Sequence, residues 1–99
     1  PLNDRPTVSA ATIKAFSVDA TLTVGDGPDA DLVIQRATDA VRDYVDERHR
    51  LGQDIVVDAL RARLYVEGVE RVILVSPAAD ILCTDEEAPY CESVEVTVG

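Results

Sequence analysis

The chain changes its hydrophobic period once, abruptly, on either side of a Gly25-Asp26-Gly27-Pro28-Asp29 segment. Upstream, Phe16, Val18, Ala20, Leu22 and Val24 alternate with Ser17, Asp19, Thr21 and Thr23. A period of two sustained that far means a strand with one buried face and one wet face. Downstream, Leu32, Val33, Ala37, Ala40, Val41, Tyr44 and Val45 recur every three or four residues. Arg36, Asp39, Arg42, Asp43 and Asp46 fill the intervening positions. That spacing predicts an amphipathic helix of about 20 residues. A sheet and a helix that each have one apolar side must bury those sides against each other, which already confines the chain to a layered architecture of helix on sheet.

The boundaries follow from local chemistry. The strand is expected from about residue 11 to 24, and Ile13, on the opposite parity from Phe16, predicts a bulge or a change of buried face near Lys14. Asp26 or Gly27 suits the helix N-cap, Pro28 its first turn, and Asp29 and Asp31 the positive end of its dipole. Arg48, His49 and Arg50 suit its carbonyl end, and Gly52 a stop. Ile55-Val56-Val57 leads to a second, shorter helix over Asp58–Tyr65, closed by Gly68. Val69–Val75 is β-branched enough to be a buried strand, ended by Ser76-Pro77. Ala79–Cys83 reads as a short extended piece and Thr84–Pro89 as an acidic loop. Val94, Val96 and Val98, alternating with Glu95 and Thr97, predict a last strand. The order is β-α-α-β-β. Successive reversals predict an α+β two-layer sandwich: a three-stranded antiparallel sheet with two helices on one face.

Composition narrows the function classes. Hydrophobic residues make up 46% and charged residues 28%, ordinary for a globular domain. Nine Lys+Arg against nineteen Asp+Glu give a net charge of −10. Such a surface repels phosphate backbones and anionic lipid, so neither nucleic acid nor membrane is an expected partner. No apolar run reaches the roughly 18 residues that a bilayer crossing needs. The sequence has no methionine, even at position 1. This predicts a piece of a larger chain: residues 1–10 a lead-in from a removed upstream domain, and 11–99 a single domain. Cys83 and Cys91 are close enough to close a short disulfide loop worth about 2–3 kcal/mol, but two half-buried free thiols are the favoured reading.

No constellation for chemistry emerges. His49 is the single histidine and stands between two arginines at a helix end, where it suits the dipole better than proton transfer. Asp85-Glu86-Glu87 has neither the ligand count nor the spacing of an EF-hand. Gly25-Asp26-Gly27 matches no phosphate loop, and its aspartates would repel the ligand. No G-x-S-x-G elbow occurs. No catalytic, cofactor-binding or metal-ligating residues are therefore assigned. What remains is surface. Tyr65, ending the short helix, and Tyr90, before the last strand, are the aromatics least needed by a core, and so candidate contact anchors. Ser17, Asp19, Thr21 and Thr23 form a first-strand face poor in charge, so that an edge there could accept a neighbour.

Several ordered segments carry a resemblance: Arg5-Pro6, Val18-Asp19-Ala20-Thr21-Leu22, Gly27-Pro28-Asp29, and Tyr44 through His49-Arg50-Leu51-Gly52-Gln53-Asp54. They continue with Gly68-Val69-Glu70-Arg71-Val72, Ser76-Pro77-Ala78-Ala79-Asp80-Ile81, Tyr90-Cys91 and Val96-Thr97-Val98-Gly99. In that order and spacing, nearly the whole chain resembles the C-terminal domain of the baseplate J-like family of contractile-tailed phages. Cys83 stands where that family would carry an aliphatic residue, which argues against a family-wide disulfide. The resemblance implies a non-enzymatic structural component of the baseplate wedge, in a phage tail or a related contractile particle. It implies other wedge subunits and copies of itself as partners, with no cofactor and no small-molecule substrate. It also implies a place in the virion tail baseplate after assembly in the host bacterial cytoplasm. The alternative is a small regulatory or ligand-binding α+β domain of a larger protein, which would need a pocket of convergent polar groups. A third possibility, a metal-dependent enzyme fragment, would need the acidic loop to hold a cation.

Overall fold

In the computed structural model, residues 12–25 and 29–99 are described. The expected lead-in and the Pro28 position lie outside them, and the N-cap of the long helix is Asp29 rather than the expected Asp26 or Gly27. The elements run β1 (Thr12–Val24), α1 (Ala30–Arg48), α2 (Val57–Leu64), β2 (Val69–Ser76) and β3 (Glu87–Val98). The β-α-α-β-β order is the expected one.

The sheet corrects one expectation: it is mixed, not wholly antiparallel. Its strand order is β2-β1-β3, with β2 antiparallel and β3 parallel to β1. Both reversals of chain direction occur as the sequence suggests, but β3 docks on the far side of β1 instead of beside β2. Backbone satisfaction explains the choice. β2 reaches only Asp19–Val24 of β1, whereas β3 pairs with Thr12–Leu22. A β3 placed on β2 would leave one whole side of the longest strand without hydrogen-bond partners.

All three register shifts place the extra residue on an outer strand: Glu70 and Val75 on β2, Glu92 on β3. The irregularity expected near Lys14 thus lies opposite Phe16/Ser17, and on the partner strand. The acidic loop is also shorter than expected, because Glu87, Ala88 and Pro89 already belong to β3. A proline is tolerated there because β3 is an outer strand and the missing N–H faces away from β1.

The core lies between the sheet and the helices. Phe16, Val18, Ala20 and Leu22 of β1 meet Ala37, Val41, Tyr44 and Val45 of α1, Leu60 and Leu64 of α2, and Ile55 between the helices. Ala20, Leu22, Ala37, Val41, Ile55, Leu60 and Leu64 are fully buried. Helix α1 starts where Asp29, in extended conformation, accepts the Asp31 N–H at 3.0 Å, and its 33-37-41-44-45 stripe faces inward. Helix α2 has no cap of its own, since Val56 occupies the N-cap position. Its first N–H groups are satisfied from a distance. Val57 N–H donates to Asp80 Oδ1 at 2.8 Å, and Val56 N–H to the Tyr44 hydroxyl at 3.1 Å.

Candidate assembly surfaces

The motif-rich segment 48–54 meets the start of β3 in a seam, and the segment 76–81 meets β1 and residues 55–57; many of the polar groups in both are committed to these contacts. Arg48 Nε donates to the Asp54 carbonyl at 2.9 Å. Asp54 Oδ1 accepts the Cys83 N–H at 2.8 Å. Gly52, at φ +77°, donates its N–H to the Glu87 carbonyl at 2.8 Å; a side chain at that φ would be strained. Ser76 Oγ donates to the Ser17 carbonyl at 3.0 Å, Pro77 is buried, and Ile81 forms a reciprocal bridge with Ile55 at 2.9 Å.

His49 belongs to the seam with β3. It is the C-cap residue of α1, the helix-end position expected for it. Its Nδ1 lies 2.7 Å from the Pro89 carbonyl. A carbonyl oxygen can only accept, so Nδ1 carries the hydrogen and the ring is tied across to β3.

One residue of the acidic run, Glu87, is likewise employed. The Glu87 carboxylate accepts the Thr84 N–H at 2.7 Å and lies 3.6 Å from Lys14 Nζ. The Thr84 bond above all, with the Lys14 charge, holds its pKa below the ordinary 4.5. Burial, with Glu87 and Asp54 nearby, raises the Cys83 thiol, and burial raises that of Cys91. Both cysteines are free and half-buried. Among the described residues, no group of three or more His, Cys, Asp or Glu side chains is placed to hold a metal ion.

The six surface residues singled out from the sequence do not form one site. Ser17, Asp19, Thr21 and Thr23 are half-buried and share the face of β1 opposite the core. They do not lie at an edge, as expected, because β1 is the central strand with a neighbour on both sides. Tyr65 and Tyr90 flank the sheet on opposite sides. Tyr65, at the C-cap of α2, accepts the Val72 N–H of β2 at 3.3 Å. Tyr90, on β3, tilts against the His49 ring at 5.4 Å between centroids. Val72 is paired with Leu22 and Tyr90 with Ala15. The two are therefore offset along β1 by roughly 23 Å at strand rise.

Register adds residues that alternation within one strand could not. Beside the hydroxyl row stand Arg71 and Ile73 of β2, paired with Thr23 and Thr21, and Ser93, Glu95 and Thr97 of β3, paired with Ser17, Asp19 and Thr21. Ile73 is half exposed. Asp19 and Glu95 stand directly opposite each other, a like-charge pairing that costs stability in isolation. Neither has an ion-pair partner among the described residues. This face is hydroxyl-rich, locally acidic and without a reacting group.

The family model for the baseplate J-like protein C-terminal domain matches residues 16–97. This chain belongs to that family. Baseplate protein J of Escherichia phage P2 is 38% identical over 99 residues, covering 100% of this chain and 33% of the relative. The chain thus spans about a third of the length of that curated protein. The segments that carried the resemblance can now be read in space. In this baseplate J-like domain, His49 and Gly52 bond to β3, Asp54 to Cys83, Asp80 to the first turn of α2, Ile81 to Ile55 and Ser76 to β1, while Arg48 fixes the loop that follows its own helix.

Proposed function

We propose that this domain is a non-enzymatic assembly module of the baseplate wedge in a contractile phage tail or phage-like particle. Its work is to make protein–protein contacts with neighbouring wedge subunits and with further copies of itself. The observation that carries this reading is the match of the entire chain to a protein described as baseplate protein J. The seam supports it: polar side chains that elsewhere serve catalysis are spent here on orienting helices against a sheet. The net charge of −10 keeps the free subunit soluble and favours partners with basic surfaces. The mechanism is then mechanical, a rigid body held at a fixed angle, with rearrangement at its interfaces when the tail contracts. Assembly takes place in the host bacterial cytoplasm and the final location is the virion tail baseplate. No cofactor, nucleic acid, membrane or small-molecule substrate is involved. Co-expression of the full-length protein with the other baseplate proteins encoded beside it should give a stable complex by size-exclusion chromatography with light scattering. Failure to form any complex would refute the reading.

A further inference from the structure

The two outer strands of the sheet are protected in different ways and over different lengths. An outer strand presents a row of N–H and C=O groups on which another chain can add, and folded proteins normally blunt it. On β2, bulges at Glu70 and Val75 break the row, and the Tyr65 hydroxyl covers the Val72 N–H. On the first half of β3 the outward groups of Glu87 and Pro89 are satisfied. The Glu87 N–H donates to Thr84 and its carbonyl accepts from Gly52. The Pro89 carbonyl accepts from His49, Pro89 has no N–H, and Glu92 adds a bulge.

Beyond Glu92 the protection stops. Ser93–Val98 pairs with Ser17–Leu22 without interruption. The Gly99 N–H donates to the Leu22 carbonyl at 3.0 Å, so residues 93, 95, 97 and 99 point their backbone groups toward β1. Val94, Val96 and Val98 therefore point theirs outward. Their N–H and C=O groups have no hydrogen-bond partner among the described residues.

We propose that the outer edge of β3 from Val94 to Val98 receives an extended strand bearing lysine or arginine, contributed by another protein of the assembly. This is strand addition: backbone bonds supply the affinity, and charge selects the partner. Charge also picks the occupant. Glu92, Glu95 and, from α1, Asp46 flank the free stretch, with Arg42 the cation among the residues around the α1–β3 cleft. A second copy would bring the same carboxylates and the same net charge of −10; a basic strand meets them with opposite charge. The proposal rests on the reading of the domain as a contact-making module.

The test is amide hydrogen exchange on the full-length protein, free and in complex with its co-expressed baseplate proteins. In the free protein the Val94, Val96 and Val98 amides should exchange freely while those of residues 95 and 97 are protected. In the complex they should slow by at least about 100-fold. Val98→Pro removes one outward N–H and leaves the ladder to β1 intact. It should weaken the complex at least about 10-fold with little change in Tm, as proline is tolerated on outer strands. Val98→Ala, which keeps the N–H, should bind normally. A complex that forms with these amides still exchanging freely would overturn the proposal and leave the contact-making reading in place. Protection already present in the free protein would overturn it too: a second copy holds the edge if protection rises with concentration, another part of the same protein if it does not. The absence of any complex would remove both readings.

Discussion

Replacing Tyr44 by phenylalanine removes one oxygen atom, and that atom is the acceptor for the Val56 N–H at 3.1 Å. The ring stays, so its burial in the core and the Arg63 guanidinium 5.4 Å over its centroid are preserved. Val56 is the N-cap of α2 and its side chain accepts nothing, so its N–H has no alternative partner within its own helix end. An N–H left unsatisfied in a buried site costs about 1–3 kcal/mol. Val56 is half-buried, which places the expected loss at the lower end, about 1–2 kcal/mol. For a domain of this size that lowers Tm by about 5–12 °C. Differential scanning calorimetry on Y44F against the parent reads the shift directly. Urea denaturation should show a lower midpoint at unchanged m-value, because the same surface is exposed on unfolding. A Tm within about 1 °C of the parent would show that water reaches the Val56 N–H and that α2 does not depend on α1 for its first turn. A loss as large as that of Y44A would show that the ring, not the hydroxyl, joins the two helices.

Three further outcomes are expected. Leu60→Ala empties a fully buried site and should cost about 2–5 kcal/mol in urea denaturation, whereas Leu82→Ala, at 62% exposure, should stay within about 0.5 kcal/mol of the parent. The Glu87 carboxyl, held below its ordinary 4.5 chiefly by the Thr84 N–H, stabilises the fold fully above the unfolded value. That contribution disappears as pH falls through the lower folded value, so melts between about pH 6 and pH 3 should flatten in Glu87→Gln relative to the parent; equal slopes would dismiss the role of the carboxylate. The Cys83 and Cys91 thiols, both raised by burial, should react with a thiol reagent at about pH 8 more slowly in the folded chain than in urea. Equal rates would mean that both thiols are open to solvent.

What could be read from the sequence is what solvent exposure writes into it. The parity of β1 and the stripe of α1 follow from which side of each element meets water, and both elements lie close to where periodicity puts them. Strand order is different in kind. The alternation of Val94, Val96 and Val98 says that one side of β3 is buried, yet it is silent on which neighbour supplies the ladder. Pro89 looked like loop chemistry because only knowledge that β3 is an outer strand makes proline acceptable there. Val69–Val75 looked buried throughout because it is β-branched, while Ile73 and Val75 are half exposed on an outer strand with an uncovered face. The candidate surface was legible in the same measure. The hydroxyl row belongs to one strand and shows in its period, whereas the Asp19–Glu95 opposition exists only once two strands distant in sequence are in register. Tyr65 showed the limit most directly: its ring is exposed, but its hydroxyl completes the backbone of β2.

The β2-β1-β3 order also has a consequence during synthesis. The central strand leaves the ribosome ahead of the other described elements, and the strand that covers its far side, β3, is the last of these to emerge. Until Val98 has emerged, Phe16 and Val18 lack the ladder that holds them, and both helices have only part of a sheet to rest on. Closure across so long a stretch of chain is slow relative to helix formation, and an unpaired central strand is a target for aggregation meanwhile. Nascent chains stalled anywhere before β3 should therefore stay protease-sensitive and bound to chaperones.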